Sequence, residues 1–411
     1  MEALYRISIW LYGLVIRMAA PVHEKARLWL SGRKETWGYL EKKIPADKEV
    51  HWFHCASLGE FEQGKPVMEA MMNAHPEVFI LVTFFSPSGY VPRKNHPVAD
   101  AVCYLPEDKP GHVNCFLNLV KPKQAYFIKY EFWHGYLREL KRRSIPVINL
   151  SGVFRPNQRF FKWYGGFFFR DLQGFRHFFV QDHASARCLE SAGIKQVTIS
   201  GDTRFDRVRE IAEASETLPL LDVFAQDRKV VVAGSCWPTE EHLIYQVMKS
   251  GLDTKWVLAP HDVGSHHIDR MASRLPLPFV RYSEATPETL AQAQVLLVDQ
   301  VGLLSRIYKY GHAAIVGGGF SGKLHNILEP AAFGLPVLWG PRHRRFWEAE
   351  ALIEKGGGFV FTDGVSLLKT LTFVLEEPFV GQMAGEVSRQ FVRTGSGATR
   401  IIMEHLFPVT A

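Results

Sequence analysis

Cysteine is scarce. The 411 residues hold five (Cys55, Cys103, Cys115, Cys188 and Cys236), scattered, odd in number and without any Cys-x-x-Cys spacing. That argues against a disulfide framework or a thiolate zinc site, and fits a reducing compartment where most of these thiols act as small buried hydrophobes. There is no internal repeat and no low-complexity tract. Zinc-finger spacing and aromatic-rich basic motifs of the RNA-binding kind are also missing, so no nucleic-acid partner is expected. A long apolar run is lacking at the N-terminus: the uncharged stretch between Arg6 and Arg17 is only half of the ~20 residues a membrane span needs.

What is present is a chain long enough for two domains with proper cores, 47% apolar and carrying a net charge of +6. The positive excess asks for an acidic partner, here an anionic lipid or a sugar phosphate. The first segment has helical periodicity: Leu4, Ile7, Leu11, Leu14, Val15 and Met18 share one face, and Arg6, Gly13 and Arg17 another. Such a helix is expected to lie in the plane of an anionic bilayer with its arginines among the headgroups. A signal peptide or a core helix are the alternatives. Lys25, Arg27, Arg33, Lys34, Lys42 and Lys43 are expected to extend the positive surface.

From Val50 the chain alternates short apolar runs with helical stretches, which predicts right-handed βαβ units. Strands are expected at 50–54, 79–83, 101–105, 124–128, 146–149, 178–180 and 197–200, then at 229–233, 256–259, 295–298, 313–316 and 337–339. The expected class is α/β, with two doubly wound parallel-sheet domains facing a cleft, and ligand loops at the C-terminal ends of strands. The expected boundaries are a membrane-associating helix over 1–30, a first domain over 48–210, an acidic irregular linker over 211–228, a second domain over 229–383, and a C-terminal helix over 384–411 packing back on the first domain.

The stretch from Ala313 to Pro341 organises the second half: a strand, three glycines (Gly317, Gly318, Gly319), a helix opened by Asn326 with Glu329 three residues on and stopped by Gly334, then another strand. Strand, glycine loop and helix start together make an anion site. Gly317, Gly319 and Gly322 match a dinucleotide fingerprint, but no acid ends the following strand to hold a ribose. The P-loop match fails at Leu324, where Ser or Thr must bind magnesium. A nucleotide-sugar site is the third reading of this stretch, and it rests on the resemblance given below. In the first half, Ser57 and Glu60 have capping-box spacing, with Glu60 returning to the Ser57 N–H. The cluster His261, Asp262, His266, His267 and Asp269 lacks the i,i+4 His pair with a Glu base, so no metal site is expected.

The runs from His325 to Ala332 and from Gly334 to Pro341 resemble the donor-binding segment of the 3-deoxy-D-manno-octulosonic acid (Kdo) transferases, except that Lys323 and Leu324 replace a Gly pair. Ser57 to Glu60 is similar to that family's Ser-x-Gly-Glu motif. Glu131 and Trp133 match its Glu-Thr-Glu-Leu-Trp segment, and Gly201 to Asp206 its Gly-Asn-x-Lys-Phe-Asp. Ser235, Glu240 and Glu241 fit the opening of its second domain, Pro260 and His261 its Pro-Arg pair with His in place of Arg, and Asp299 to Leu303 a further nucleotide-contacting turn.

The resemblance implies a glycosyltransferase-B fold and transfer of Kdo from CMP-Kdo to the lipid A precursor, with no metal and no cofactor, at the cytoplasmic face of the inner membrane. It implies Glu60 as catalytic base and Glu131 as an acceptor-side or structural carboxylate, a solvated loop acid being the plain alternative. The donor would be held by Ser235, Pro260, His261, Val301, Gly302, Leu303, Asn326, Ile327, Leu328 and Glu329. Ser235 could equally cap a helix, with Glu240 an ordinary first-turn acid; Arg204 or Arg270 could supply the charge that His261 lacks. Another nucleotide-sugar transferase or epimerase of the same fold, or a non-catalytic membrane scaffold, are the competing functions.

Overall fold

Strands built of continuous apolar residues must be covered on both faces, which is the situation of a parallel sheet flanked by helices. The computed structural model, which describes residues 1–408, contains two such sheets. The first has β1 (Val50–Cys55), β2 (Phe79–Phe84), β3 (Ala101–Tyr104), β4 (Gln124–Ile128), β5 (Val147–Gly152), β6 (His177–Val180) and β7 (Val197–Ile199) in the order β3-β2-β1-β4-β5-β6-β7. The second has β8 (Val230–Cys236), β9 (Lys255–Pro260), β10 (Phe279–Arg281), β11 (Val295–Leu297), β12 (Ala313–Val316), β13 (Val337–Trp339) and β14 (Gly358–Val360) in the order β10-β11-β9-β8-β12-β13-β14. Every pairing is parallel. In each sheet the strand order reverses beside the first strand, at β1/β4 and at β8/β12, where doubly wound proteins bind ligands.

The chain divides into two compact units, Met1–Asp206 with Gly397–Ala411, and Arg207–Ser396. The irregular linker expected over 211–228 is instead partly helical. Thr203–Glu213 and Pro219–Phe224 are helices, and Leu218, Leu221 and Phe224 are buried in the core of the second unit. The C-terminal region is two helices rather than one. Pro378–Gly395 lies in the second unit, and Ala398–Leu406 packs in the first, with Ile402 in its core. The break falls at Gly397, where the Asp206 carboxylate accepts the N–H groups of Gly397 at 2.5 Å and Thr399 at 2.7 Å. After β2 a short helix, Pro87–Arg93, begins at once, with the Ser86 hydroxyl accepting from the Ser88 N–H.

The N-terminal helix Glu2–Ala19 is docked by its polar side. Tyr5 donates to Asp108 at 2.6 Å, Arg17 pairs with Glu107 at 3.1 Å, and Gly13 is buried between Arg17 and Glu107. The apolar residues Leu4, Ile7, Leu11, Leu14, Val15 and Met18 point outward, from Leu14 at 37% exposed to Met18 at 72%, while the Tyr5 and Tyr12 rings pack inward on Phe167 and Trp29. Arg17 is therefore engaged with its own domain rather than free for headgroups, and Arg6 pairs with Glu2 at 2.6 Å. Arg33, on the next helix, Glu24–Lys43, is buried as well. Its guanidinium stacks 3.6 Å over Trp29 and donates to the carbonyls of Phe85 and Leu105, so it adds nothing to the positive surface. Among the described residues no single helix is long and apolar enough to cross a membrane. The bent pair Glu2–Ala19 and Glu24–Lys43, at 116°, passes on length and composition alone.

Candidate functional site

In the first unit the chemistry gathers where β1 and β4 end. Glu60 lies in the first turn of the helix Leu58–Ala74, 7% exposed, and accepts the N–H of Ala56. The Ser57 hydroxyl makes no capping bond, so the reciprocal box expected from the spacing is not formed. Burial pushes the Glu60 carboxyl up to about 7. The Ala56 N–H opposes this, the nearby Glu131 reinforces it, and Lys129 opposes it. Glu131 is half-buried and is itself raised by burial, against Arg159.

The loop carrying Glu131 is fastened on two sides. Trp133 donates from Nε1 to Nε2 of His54 on β1 at 3.1 Å, and His54 Nδ1 meets Thr83 Oγ1 at 3.0 Å. Burial holds His54 far down, at about 3, so the ring is neutral and accepts the indole N–H. Asn149 of β5 donates to the carbonyls of Phe127 and Lys129, at 3.0 and 2.5 Å. Lys129 itself takes a left-handed φ of +59°. From the motif at 201–206, Thr203 donates to the Gln63 carbonyl at 2.5 Å, tying it to the Glu60 helix, while Arg204 pairs with the buried Asp202 at 2.7 Å.

In the second unit the predicted donor residues come together at the C-terminal ends of β8, β9 and β12. Ser235 sits at a bulge in β8 with φ of +52°, and it does not cap the following helix, Pro238–Met248, whose N-cap is Trp237. The backbone of Gly317 passes so close that a Cβ there would fall 2.0 Å from the Ser235 carbonyl oxygen, which makes glycine obligatory. Pro260 ends β9. His261 follows, donating its N–H to the Cys236 carbonyl at 2.9 Å, its ring stacked on Trp237 with centroids 4.7 Å apart. Trp237 Nε1 donates to His325 Nε2 at 3.2 Å. Burial and then His261 lower His325 to about 4.

Asn326 lies one residue outside the expected cap position. The helix is short, Leu328–Ala332 with Ile327 as N-cap, and the Asn326 side chain accepts from the Leu328 N–H at 3.2 Å while donating to Glu329 at 3.1 Å. Val301, Gly302 and Leu303 form a turn, exposed at Val301 and Gly302 and half-buried at Leu303, with Gly302 at φ +87°, and Leu304 just beyond packs over Gly234. In the histidine-rich run, His267 pairs with Glu241 at 2.9 Å, Arg270 donates to His267 at 2.5 Å, and Asp269 pairs with Arg281 at 2.8 Å. Arg270 is thus engaged with His267.

Sequence reasoning missed the part played by Glu240. It is 1% exposed, and its carboxylate accepts the N–H groups of Gly318 at 2.9 Å, Phe320 at 3.4 Å and Trp237 at 3.2 Å. The glycine loop that should cradle an external anion is thus held by an internal one. The signal was an acid at the third helical position beside a glycine triplet 78 residues away in sequence, a pairing that only the β8–β12 adjacency reveals.

Two doubly wound units with sites at their strand ends define the glycosyltransferase-B class. Solved structures agree in fold: the UDP-GlcNAc 2-epimerase of Neisseria meningitidis superposes with a TM-score of 0.60 at 15% identity, covering 87% of this chain and 99% of its own. MurG of Acinetobacter baumannii gives 0.54 at 10%, covering 87% and 98%. Within that class, the family model described as 3-deoxy-D-manno-octulosonic-acid transferase (kdotransferase) matches residues 31–207. The chain is 27% identical over 358 residues to the 3-deoxy-D-manno-octulosonic acid transferase of Chlamydophila psittaci, covering 83% of this chain and 81% of that one. It is 28% identical over 337 residues to that of Aquifex aeolicus, covering 80% and 86%. The resemblance to the Kdo transferases read from the motifs therefore extends over most of the chain, and it supports a glycosyltransferase.

Proposed function

We propose that this chain transfers Kdo from CMP-Kdo to the lipid A precursor, with no metal in the transfer, at the cytoplasmic face of the inner membrane. Glu60 takes the proton from the acceptor hydroxyl. Its buried carboxyl, poised at about 7, is the observation that carries the reading, because a base matched to the working pH is both available and effective. Glu131, on a loop fastened to β1 and β5, stands on the acceptor side and keeps the Glu60 environment negative. The donor lies in the second unit, its ribose on Glu329 and its base against the backbone of Val301, Gly302 and Leu303, with Asn326, Ile327, Leu328, Ser235, Pro260 and His261 around it. Backbone edges suit cytosine, which needs both donors and acceptors. Fixed donors stabilise the departing phosphate.

The outward apolar face of Glu2–Ala19 supports a peripheral membrane position, since a docked helix otherwise turns that face inward. The test is incubation with CMP-Kdo and lipid A precursor, with the product read by mass. A product heavier by one or more Kdo units is expected. Binding of CMP without any acceptor product points to another chemistry of the same fold, and absence of both binding and turnover to a scaffold.

A further inference from the structure

A glycine loop after a strand ordinarily meets a phosphate through its own backbone N–H groups. Here Gly318 and Phe320 already donate to Glu240, and withdrawing that buried carboxylate would strip a charge of its partners. A phosphate arriving at this edge of the second sheet must find positive charge elsewhere. Arg270 is engaged with His267, and the His325 ring, half-buried, is lowered to about 4 and so neutral at physiological pH.

Lys323 is placed to supply it. Its backbone N–H donates to the Gly318 carbonyl at 3.0 Å, closing the loop and fixing where the side chain begins. Gly318 has φ of +87°, and a Cβ there would strike the Lys323 carbonyl at 2.1 Å, so the turn tolerates only glycine. The Lys323 ammonium lies 5.6 Å from the centroid of Trp237, the ring that stacks on His261 and bonds His325. No ion pair joins Lys323 to a carboxylate among the described residues. Glu240 fixes the backbone of Trp237 and of the loop together, so it positions both walls against which the lysine rests.

We propose that Lys323, held beside Trp237 by the loop that Glu240 anchors, is the cation that binds the phosphate of the donor nucleotide. This rests on the donor reading above. On that reading the chain meets the phosphate with one ammonium instead of a planar guanidinium fork at position 261.

The test titrates the full chain with CMP and with cytidine, which lacks the phosphate. K323A should weaken CMP by about tenfold, the scale of one charge-assisted contact, and leave cytidine unchanged. K323R should restore most of the CMP affinity. R342A, which removes an equal charge from a residue whose N–H donates to the Gly319 carbonyl, should change little. The inference is overturned if K323A binds CMP like wild type, if cytidine weakens in parallel, or if R342A costs as much as K323A. A wild-type chain that binds no CMP at all overturns the donor reading itself, a different result from wild-type binding that K323A preserves.

Discussion

Trp133 donates its indole N–H to His54 at 3.1 Å, and that bond joins the loop bearing Glu131 to β1 of the first sheet. His54 is fully buried, so removing the donor leaves an acceptor with no water to replace it. W133F should cost about 1–3 kcal/mol in denaturant unfolding. It should also lower transfer by releasing Glu131, while CMP affinity, a property of the other unit, stays unchanged. Loss of stability with full turnover would reduce Trp133 to a core residue.

The N-terminal helix yields a contrast that an ordinary amphipathic helix would not. Serine at Leu4, Ile7, Leu11 and Val15 should leave unfolding stability within about 0.5 kcal/mol, because these side chains are exposed. Partition onto anionic vesicles should fall by about 1 kcal/mol per side chain. R17E sets two acids together at Glu107 and should release the helix from its domain. The electrostatic part of binding, screened over about 8–10 Å, should shrink in high salt. Unchanged partition of the serine variant would remove the membrane reading.

Glu329 is expected to hold the donor ribose. E329A should weaken CMP and CMP-Kdo together by about 1.5–3 kcal/mol, since product and substrate share that contact. If thermal stability alone falls, Glu329 is a structural acid bonded to Asn326, at 3.1 Å, and not a ribose ligand.

Much of the fold was legible because apolar runs were bounded by glycine and proline. Gln124–Ile128, Ala313–Val316 and Val337–Trp339 form strands over the residues expected. Phe279–Arg281 and Gly358–Val360 were not foreseen. Each is a three-residue edge strand, defined by its neighbour rather than by its own pattern. The acidic residues around Leu218, Leu221 and Phe224 hid a spacing of three that buries one face. At the sites, motifs located the residues but not their partners. The Glu240 bonds to Gly318 and Phe320 join segments far apart in sequence, and the inverted docking of Glu2–Ala19 depends on Glu107 and Asp108.

Glu60 also sets a pH dependence of stability. Its carboxyl is raised in the folded state, to about 7 from an ordinary value near 4.5, so the folded form binds the proton more tightly. Stability from this group is complete below about 4.5, declines as pH rises, and its cost is full above about 7. E60Q should therefore be more stable than wild type at pH 8, by about 1–3 kcal/mol, with the gap closing near pH 4.5. S57A should cost less than about 0.5 kcal/mol, because its hydroxyl makes no capping bond. Equal unfolding curves for wild type and E60Q at pH 8 would show that burial does not raise the carboxyl in the folded state.

The most direct measurement is the rate of Kdo transfer to the lipid A precursor against pH, for wild type and E60Q. Wild-type turnover should rise with pH through about 7 as Glu60 ionises, then level. E60Q should be slower by about 10²–10⁴, with no inflection near 7 and with CMP-Kdo affinity retained. Near-full turnover in E60Q, or a wild-type profile flat across that range, would contradict Glu60 as the base.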